Sequence, residues 1–345
     1  MRIRARYLGA QRQGRAAWLG ETRLFAEAAA LSRGLQTCLQ RFLNLCPVRR
    51  AALIVNPHAT RVTPELAVAV ERELAAAGEV ETFLTERPRH AADLAAAAAA
   101  EFERIYVYGG DGAFNEVVNG IEDADVALGF LPGGGTSVLP RALGLPRDPV
   151  EAARRLGRSG RERRIAVGRV NGRRFTFSAG VGLDAELVRR VDALGRRDGR
   201  RPGDVAFART LLGLLAGRFG RLRPAMTVLG RDRVAFALVA NCDPYSYAGR
   251  FAIHVAPEAR FELGLDLVAP RAVGPLQLPR VAAWAARGRG QTASPRVLYI
   301  HDLDEVEIEC DGPTALQADG EDLGDIVTAR FEAERDALRV LVGDN

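Results

Sequence analysis

Two patterns of apolar residues divide the chain. From residue 51 to about residue 160, apolar runs of strand length alternate with segments of ten or more residues that carry helical spacing. Strands that alternate with helices favour a doubly wound, parallel sheet of the Rossmann-like α/β type. After about residue 161 the apolar runs are shorter and lie closer together, and Asn-Gly or Asp-Gly pairs separate several of them. This second pattern favours an antiparallel β-sandwich.

The alternating pattern predicts four strands and four helices. The strands are expected at 52–56, 80–84, 104–109 and 126–131, and the helices at 64–77, at 90–103, from 115 onward, and at 150–156. Three segments rich in glycine or asparagine come directly after strands, at 56–57, 109–112 and 133–136. Because ligands bind at the carboxyl ends of the strands in such sheets, these segments mark the expected site.

The composition predicts a soluble protein that binds anionic partners. Of 345 residues, 48% are hydrophobic and 26% charged, and no apolar stretch is long enough to span a membrane. No signal-peptide pattern is visible and the four cysteines lack metal or disulfide spacing, so a cytoplasmic protein with reduced thiols is expected. The net charge of +5 favours lipid headgroups or nucleic acid, and because no nucleic-acid motif accompanies it, we expect no nucleic-acid partner.

Residues 106–120 carry the most specific signal, an apolar run followed by Gly-Gly-Asp-Gly and then Asn115-Glu116. Glycines let backbone N–H groups approach an anion, and an incoming helix adds the positive end of its dipole. The spacing is neither that of a P-loop nor that of a dinucleotide fingerprint. A phosphate site of another type is predicted. Since the sequence contains no lysine, arginine, backbone N–H groups or a metal must neutralise the phosphates.

The same residues resemble a known family. The segment at 109–112 with Asn115-Glu116 resembles the GGDGT-x-NE signature of the diacylglycerol kinase and sphingosine kinase superfamily. Asn56-Pro57, the glycine loop at 132–136 and Asp319-Gly320-Glu321 follow in the family's order. The resemblance covers about residues 50 to 345. It implies a nucleotide-binding α/β domain at 49–160 and a lipid-substrate β-sandwich domain at 161–345, with the alternative that the last residues return to the first domain. Residues 1–48, which are rich in arginine, form a basic N-terminal extension that the resemblance does not explain.

The resemblance implies an ATP- and Mg²⁺-dependent lipid kinase, with diacylglycerol to phosphatidic acid as the favoured reaction. Asp319 and Glu321 are the expected catalytic carboxylates, and either can be the base that takes the hydroxyl proton. Asp111 is expected to hold Mg²⁺, and Glu262 and Asp266 fall near the family's acidic metal-binding stretch. The residues expected at the ATP site are Asn56, Pro57, Thr60, Gly109, Gly110, Asp111, Gly112, Asn115, Glu116, Gly133, Gly134, Gly135, Thr136 and Ser137.

Two other functions stay open. An NAD kinase shares the GGDG loop, although a segment like Thr-Pro-Thr-Gly-Ser-Thr, which that family uses, is missing here. A catalytically weakened lipid- or nucleotide-binding homologue is the other alternative, because Ala113, Gly135 and Ser137 stand where the family has other residues.

An apolar substrate requires contact with a membrane, so we expect a cytoplasmic protein that associates peripherally with an anionic bilayer. Residues 188–224 are predicted to form one helix with a basic surround, and Arg218, Arg221 and Arg223 border its apolar stripe. A dimer face is the alternative use of that helix. Residues 1–48 could supply a second basic amphipathic helix, or they are an appendage without a role.

Overall fold

The protein is described by a computed structural model that covers residues 50–159, 161–195 and 202–343. Its first part alternates strands with helices. The elements are β1 (Arg50–Val55), α1 (Pro64–Ala75), β2 (Glu79–Leu84), α2 (His90–Ala99), β3 (Arg104–Gly109), α3 (Asp111–Gly120), β4 (Ala127–Pro132), α4 (Val138–Ala142) and α5 (Pro149–Ser159). The predicted basic extension at 1–48 lies outside the described residues.

The four strands of this part form a parallel sheet in the order β2-β1-β3-β4. Successive residues of β1 face opposite sides, so that Ile54 packs with α2 and α3 in one hydrophobic cluster. Leu53 packs on the other side with α1 and α5. A parallel sheet buried on both faces explains why its strands are continuous apolar runs. The predicted doubly wound α/β domain is thus confirmed.

The second part is mainly antiparallel, as predicted. Its elements are β5 (Glu162–Val170), β6 (Arg173–Phe175), β7 (Ser178–Val181), α6 (Leu183–Ala193), α7 (Asp204–Gly217), β8 (Met226–Val228), β9 (Asp232–Val234), β10 (Ala237–Ala240), β11 (Ser246–Ala248), β12 (Phe251–Ile253), β13 (Leu265–Pro270), α8 (Leu278–Arg287), β14 (Val297–Leu303), β15 (Glu305–Ala318) and β16 (Glu321–Leu341). Nine of these strands contribute side chains to one shared core, which includes Phe175, Met226 and Phe331.

The long strand β16 joins the two parts. It pairs with β15 and β5 along the antiparallel region, and its end pairs in parallel with β4 through Arg339 and Val340. This strand therefore connects the turn at Asp319-Gly320-Glu321, called the carboxylate turn below, to the sheet that carries the glycine loops.

Several predicted elements differ from the structure. Helix α3 begins at Asp111 and not at Asn115, because Gly110 is its extended N-cap and an acidic residue in the first turn favours the helix dipole. The single helix predicted for 188–224 is wrong: α6 and α7 are separate. Gly195, with φ of +73°, follows the end of α6, and Pro202-Gly203 precedes the start of α7. Helices α4 and α8 were not predicted. Among the described helices, none is long and apolar enough to cross a membrane.

Candidate functional site

The glycine loops after β3 and β4 touch through their backbones. Gly133 N–H donates to the Gly109 carbonyl at 2.7 Å, and a Cβ on Gly134 would lie 2.9 Å from the Gly110 Cα. A Cβ on Gly133 would lie 2.7 Å from the Val62 Cγ2, so glycine is required for packing at Gly133 and Gly134. Gly112 and Gly135 differ, because a Cβ on either would meet nothing within 4 Å. These two glycines face open space, where a ligand could approach the bare backbone.

The first of the three loops lies at the same edge of the sheet. Asn56 N–H donates to the Tyr108 carbonyl at 2.9 Å, and the Asn56 side chain accepts from His58 N–H at 3.0 Å. Pro57 and Thr60 are exposed at this edge. Arg61 N–H donates to the Gly133 carbonyl at 2.9 Å, which joins the first loop to the third. The structure thus brings the three predicted strand-end segments together.

Ser137 shapes the third loop. It has a left-handed φ of 49°, and its hydroxyl donates to the Gly134 carbonyl at 3.2 Å. This buried hydroxyl is therefore occupied within the loop. Thr136, next to it, is only partly buried.

Helix α3 leads away from the glycine loop and carries a polar ladder. Asp111, Asn115 and Asn119 are spaced by four residues and lie on one helix face, whereas Phe114, Val117 and Val118 are buried in the core. Asn119 and Asn115 both donate to the Arg174 carbonyl, at 3.1 and 2.9 Å. The ladder therefore fixes α3 against the start of the antiparallel region. Its i, i+4, i+8 spacing is visible in the sequence, but Asn119 was not predicted as a site residue.

The Asp319-Gly320 pair forms a two-residue hairpin turn between β15 and β16. Both residues have positive φ, 49° and 77°, as a type I′ turn requires, and Ala318 pairs with Glu321 across it. Gly320 N–H donates to Gln317 Oε1 at 2.8 Å, and Gln317 Nε2 donates to Asp184 Oδ2 at 2.6 Å. Gln317 and Asp184 therefore stabilise the turn in addition to the backbone pairing of Ala318 with Glu321.

Asp319 is buried and its carboxylate is saturated with hydrogen bonds. Oδ2 accepts from Asn115 Nδ2 at 2.9 Å, Thr176 N–H at 2.7 Å and Thr176 Oγ1 at 2.9 Å. Oδ1 accepts from Phe177 N–H at 3.0 Å and Ser178 N–H at 3.2 Å. Burial nevertheless raises the pKa of Asp319, and these donors oppose that rise. The carboxylate locks the turn onto α3 and the β6–β7 connection.

Glu321 lies on the same turn but is half exposed. Its Oε2 accepts from Arg173 Nη2 at 2.6 Å, and the same nitrogen donates to Asn115 Oδ1 at 2.9 Å. The Nε of Arg173 is buried without a partner among the described residues. Arg173 therefore joins the exposed carboxylate to the polar ladder of α3. Sequence reasoning did not identify it, because its only signal is a basic residue just after a predicted Asn-Gly turn.

The carboxyl group of Asp111 has a pKa well above the ordinary value for an aspartate. Burial raises its pKa to about 7, the Leu139 N–H opposes the rise, and the nearby Asp319 adds to it. One oxygen accepts from Leu139 N–H at 3.3 Å, which links the GGDG loop to α4. A cation close to this carboxyl would favour its charged form. Arg141 of α4 is such a cation, since it interacts electrostatically with Asp111.

Three predicted residues have other surroundings. Both oxygens of Glu116 cap α2, accepting from Arg89 N–H at 3.0 Å and Ala91 N–H at 3.2 Å. Glu262 forms an ion pair with Arg163. Asp266 is fully buried in β13 and accepts from the Tyr299 hydroxyl at 2.6 Å. The described residues contain no group of three or more acidic, histidine or cysteine side chains suited to a metal ion, so Glu262 and Asp266 are not brought into one.

Comparisons with known proteins match part of this chain. Residues 50–170 match the family model of the diacylglycerol kinase catalytic domain. Over 146 residues the chain is 38% identical to a diacylglycerol kinase of Bacillus subtilis (strain 168), covering 41% of this chain and 48% of that protein. It is 31% identical over 147 residues to a diacylglycerol kinase of Staphylococcus carnosus (strain TM300), covering 40% and 47%. The chain thus spans about half the length of these curated relatives.

The likeness of fold extends further than the likeness of sequence. A diacylglycerol kinase from Bacillus anthracis str. Sterne superposes with a TM-score of 0.66 at 18% identity, covering 87% of this chain and 98% of that one. Another structure from the same organism gives a TM-score of 0.70 at 20% identity, covering 87% and 97%. The shared fold therefore includes the parallel and the antiparallel parts.

Proposed function

We propose that the chain is an ATP- and Mg²⁺-dependent lipid kinase that phosphorylates a lipid hydroxyl, with diacylglycerol to phosphatidic acid as the favoured reaction. The observation that carries this proposal is the 2.9 Å hydrogen bond from Asn115 Nδ2 to Asp319 Oδ2. Through it, one helix connects the glycine loops to the carboxylate turn. Phosphoryl transfer needs both parts within one cleft, since the phosphate must be cradled while the acceptor hydroxyl is oriented.

Glu321 is the candidate base of the two carboxylates. Asp319 already accepts five hydrogen bonds, which leaves little capacity for a substrate hydroxyl. Glu321 is half exposed and is held by one cation, Arg173. In the proposed step the lipid hydroxyl oxygen forms a bond to the γ-phosphorus as the bond from that phosphorus to the β,γ-bridging oxygen breaks. ADP leaves, and the hydroxyl proton goes to Glu321.

Asp111 fits the proposed role of magnesium ligand. Mg²⁺ is usually held by one or two carboxylates together with substrate phosphates and waters, so an all-protein cluster of acids is not needed. A carboxyl whose pKa lies near 7 would be ionised by a nearby divalent cation. When bound, Mg²⁺ supplies charge neutralisation for the phosphates. Glu262 and Asp266 lack this setting, because an arginine and a tyrosine hydroxyl already occupy them.

The lipid substrate implies work at a membrane surface, and we propose a cytoplasmic protein that associates with the bilayer peripherally. The names of the relatives support the lipid class, since those at 38% and 31% identity are diacylglycerol kinases. Because the sequence contains no lysine, arginines, backbone N–H groups and the proposed Mg²⁺ would neutralise the phosphates.

The test is phosphorylation of a lipid panel in mixed micelles with γ-labelled ATP. We expect Mg²⁺-dependent label on diacylglycerol at a higher rate than on a monoacylglycerol, a long-chain base or a polyprenol. NAD is included as an acceptor, and label on NAD at a rate comparable to that on lipid would contradict the proposal. ATP binding without label on any acceptor would instead support the catalytically weakened homologue.

A further inference from the structure

A large groove lies on the antiparallel part of the molecule, outside the site described above. Its volume is about 1140 Å³, and it is lined by α6, by the segment after α7 and by part of β15. Half-buried and buried apolar side chains line it, among them Leu183, Leu222 and Met226. Five arginines also line it, at positions 189, 190, 218, 221 and 223. The groove thus combines apolar walls with a high density of positive charge.

Two of the five arginines have no acidic partner among the described residues. Glu186 pairs with Arg190 at 2.5 Å and also with Arg218. Arg189 pairs with Asp322 at 2.8 Å and Asp325 at 2.6 Å. The remaining two, at 221 and 223, are exposed and carry uncompensated charge. An anionic ligand would therefore meet unpaired cations at this end of the groove.

Arg221 and Arg223 flank a residue whose backbone pairs with a neighbouring segment. Leu222 N–H donates to the Val273 carbonyl at 2.8 Å, and Val273 N–H donates back to the Leu222 carbonyl at 3.1 Å. Leu222 is buried, and in an extended segment alternate side chains face opposite sides. Arg221 and Arg223 are exposed on either side of the buried Leu222, so both side chains lie on the side opposite it.

The edge beside these arginines carries two strongly exposed apolar side chains. Phe219 is 85% exposed and Leu276 is 94% exposed. The segments that bear them touch, because a Cβ on Gly220 would lie 3.0 Å from the Pro275 Cβ. Exposed apolar groups next to basic groups are typical of surfaces that lie in the interface of an anionic membrane.

We propose that this groove and edge dock on an anionic bilayer. The phosphate of one anionic phospholipid pairs with Arg221 and Arg223, and the Phe219 and Leu276 side chains insert between lipids. Arg189 lines the groove and also binds Asp322, the residue after Glu321. Docking here would hold the carboxylate turn close to the membrane. The proposal concerns binding alone and does not depend on catalysis.

The first test is sedimentation of the full chain with vesicles of phosphatidylcholine, with and without phosphatidylglycerol. We expect binding only with phosphatidylglycerol, weakened by salt. The double variant Arg221→Gln, Arg223→Gln should bind about thirtyfold more weakly, since each arginine near such a surface contributes about a factor of five. The matched control, Arg72→Gln with Arg158→Gln, removes the same charge from exposed positions on α1 and α5. It should bind as the unaltered chain does.

The second test places a reporter at the proposed contact. A Phe219→Trp variant should shift its emission to the blue and be quenched by brominated phosphatidylglycerol, whereas Val68→Trp on α1 should show neither change. Unchanged vesicle binding by the arginine double variant, or an unquenched Phe219→Trp, would overturn the proposal. So would binding of inorganic phosphate to the groove without any binding to vesicles, because the site would then serve a soluble anion.

Discussion

The two walls of the candidate cleft are built by opposite means. The wall after β3 and β4 consists mainly of backbone, and a Cβ on Gly134 would lie too close to the Gly110 Cα. The wall after β15 consists of side chains, and Asp319 alone accepts five hydrogen bonds. The first wall is therefore sensitive to added atoms, and the second to a lost charge or acceptor. Helix α3 connects them, since Asp111 stands at one wall and Asn115 at the other.

The largest effect is expected on the side-chain wall. Glu321→Gln should lower kcat about a thousandfold, because a positioned general base contributes that order of rate. The melting temperature should change little, since Glu321 is half exposed and its pair with Arg173 lies near the surface. Lipid phosphorylation and thermal denaturation measure the two effects. Glu305→Gln, at the other end of β15, should retain full activity. Near-normal turnover by Glu321→Gln would remove this residue from the chemistry.

Asp319→Asn should reduce the stability of the fold as well as its activity. An amide in place of the carboxylate must direct its NH₂ group at backbone N–H donors, because donors contact both oxygens. We expect a loss of about 3 kcal/mol in the free energy of unfolding. Denaturant titration measures it. Asp325→Asn, which breaks an exposed pair with Arg189, should cost less than about 1 kcal/mol. Equal losses in the two variants would mean that the Asp319 network adds nothing.

The sequence predicted the backbone wall better than the side-chain wall. Local glycine patterns after apolar runs identify a strand-end loop, and the structure brings all three segments to one edge. The side-chain wall depends on contacts between residues far apart in the chain, as between Asn115 and Asp319. No local pattern encodes such a pairing. Arg173 was missed for this reason, and Glu116 was assigned to the phosphate site although it caps α2.

Secondary structure shows the same division. Periodicity identified β1 to β4 and the helices between them, because burial on both faces makes each strand a continuous apolar run. It failed at 188–224, where the sequence has no apolar residue between Gly195 and Pro202 and where α6 and α7 are separate helices. There the backbone preferences of glycine and proline favour a break between two helices.

A smaller effect is expected when an atom is added to the backbone wall. Gly134→Ala should cost about 2 kcal/mol, since its Cβ would lie 2.9 Å from the Gly110 Cα, which cannot rotate away. ATP affinity should fall with it. Gly135→Ala is the matched control, because its Cβ would meet nothing within 4 Å. Thermal denaturation and nucleotide titration compare the two, and an equal response would show that the loops do not need this close contact.

The smallest effect is expected when the charge of Asp111 is removed. Its folded-state pKa is about 7, against 3.8 as its ordinary value. Between these values the folded state binds the proton more tightly, so this group's contribution to stability falls as pH rises from about 4 to 7. Asp111→Asn lacks that penalty. Without Mg²⁺ it should be no more stable than the unaltered chain near pH 4, and more stable at pH 8 by on the order of 1 kcal/mol, because partial exposure of Asp111 to solvent reduces the roughly 4 kcal/mol of the full shift.

Asp322→Asn should change stability with pH in the opposite direction to Asp111→Asn. Its hydrogen bonds with Arg189 hold the pKa of Asp322 below the ordinary 3.8, so its contribution to stability is present above that value and is lost as pH falls. Its replacement should therefore destabilise the protein at pH 8 and matter less in acid, the opposite of Asp111→Asn. Added Mg²⁺ should reduce the advantage of Asp111→Asn at pH 8, because a cation near Asp111 stabilises the carboxylate. If both variants showed the same pH dependence, or if Mg²⁺ had no effect on either, Asp111 would have a structural role only and another group would have to bind magnesium.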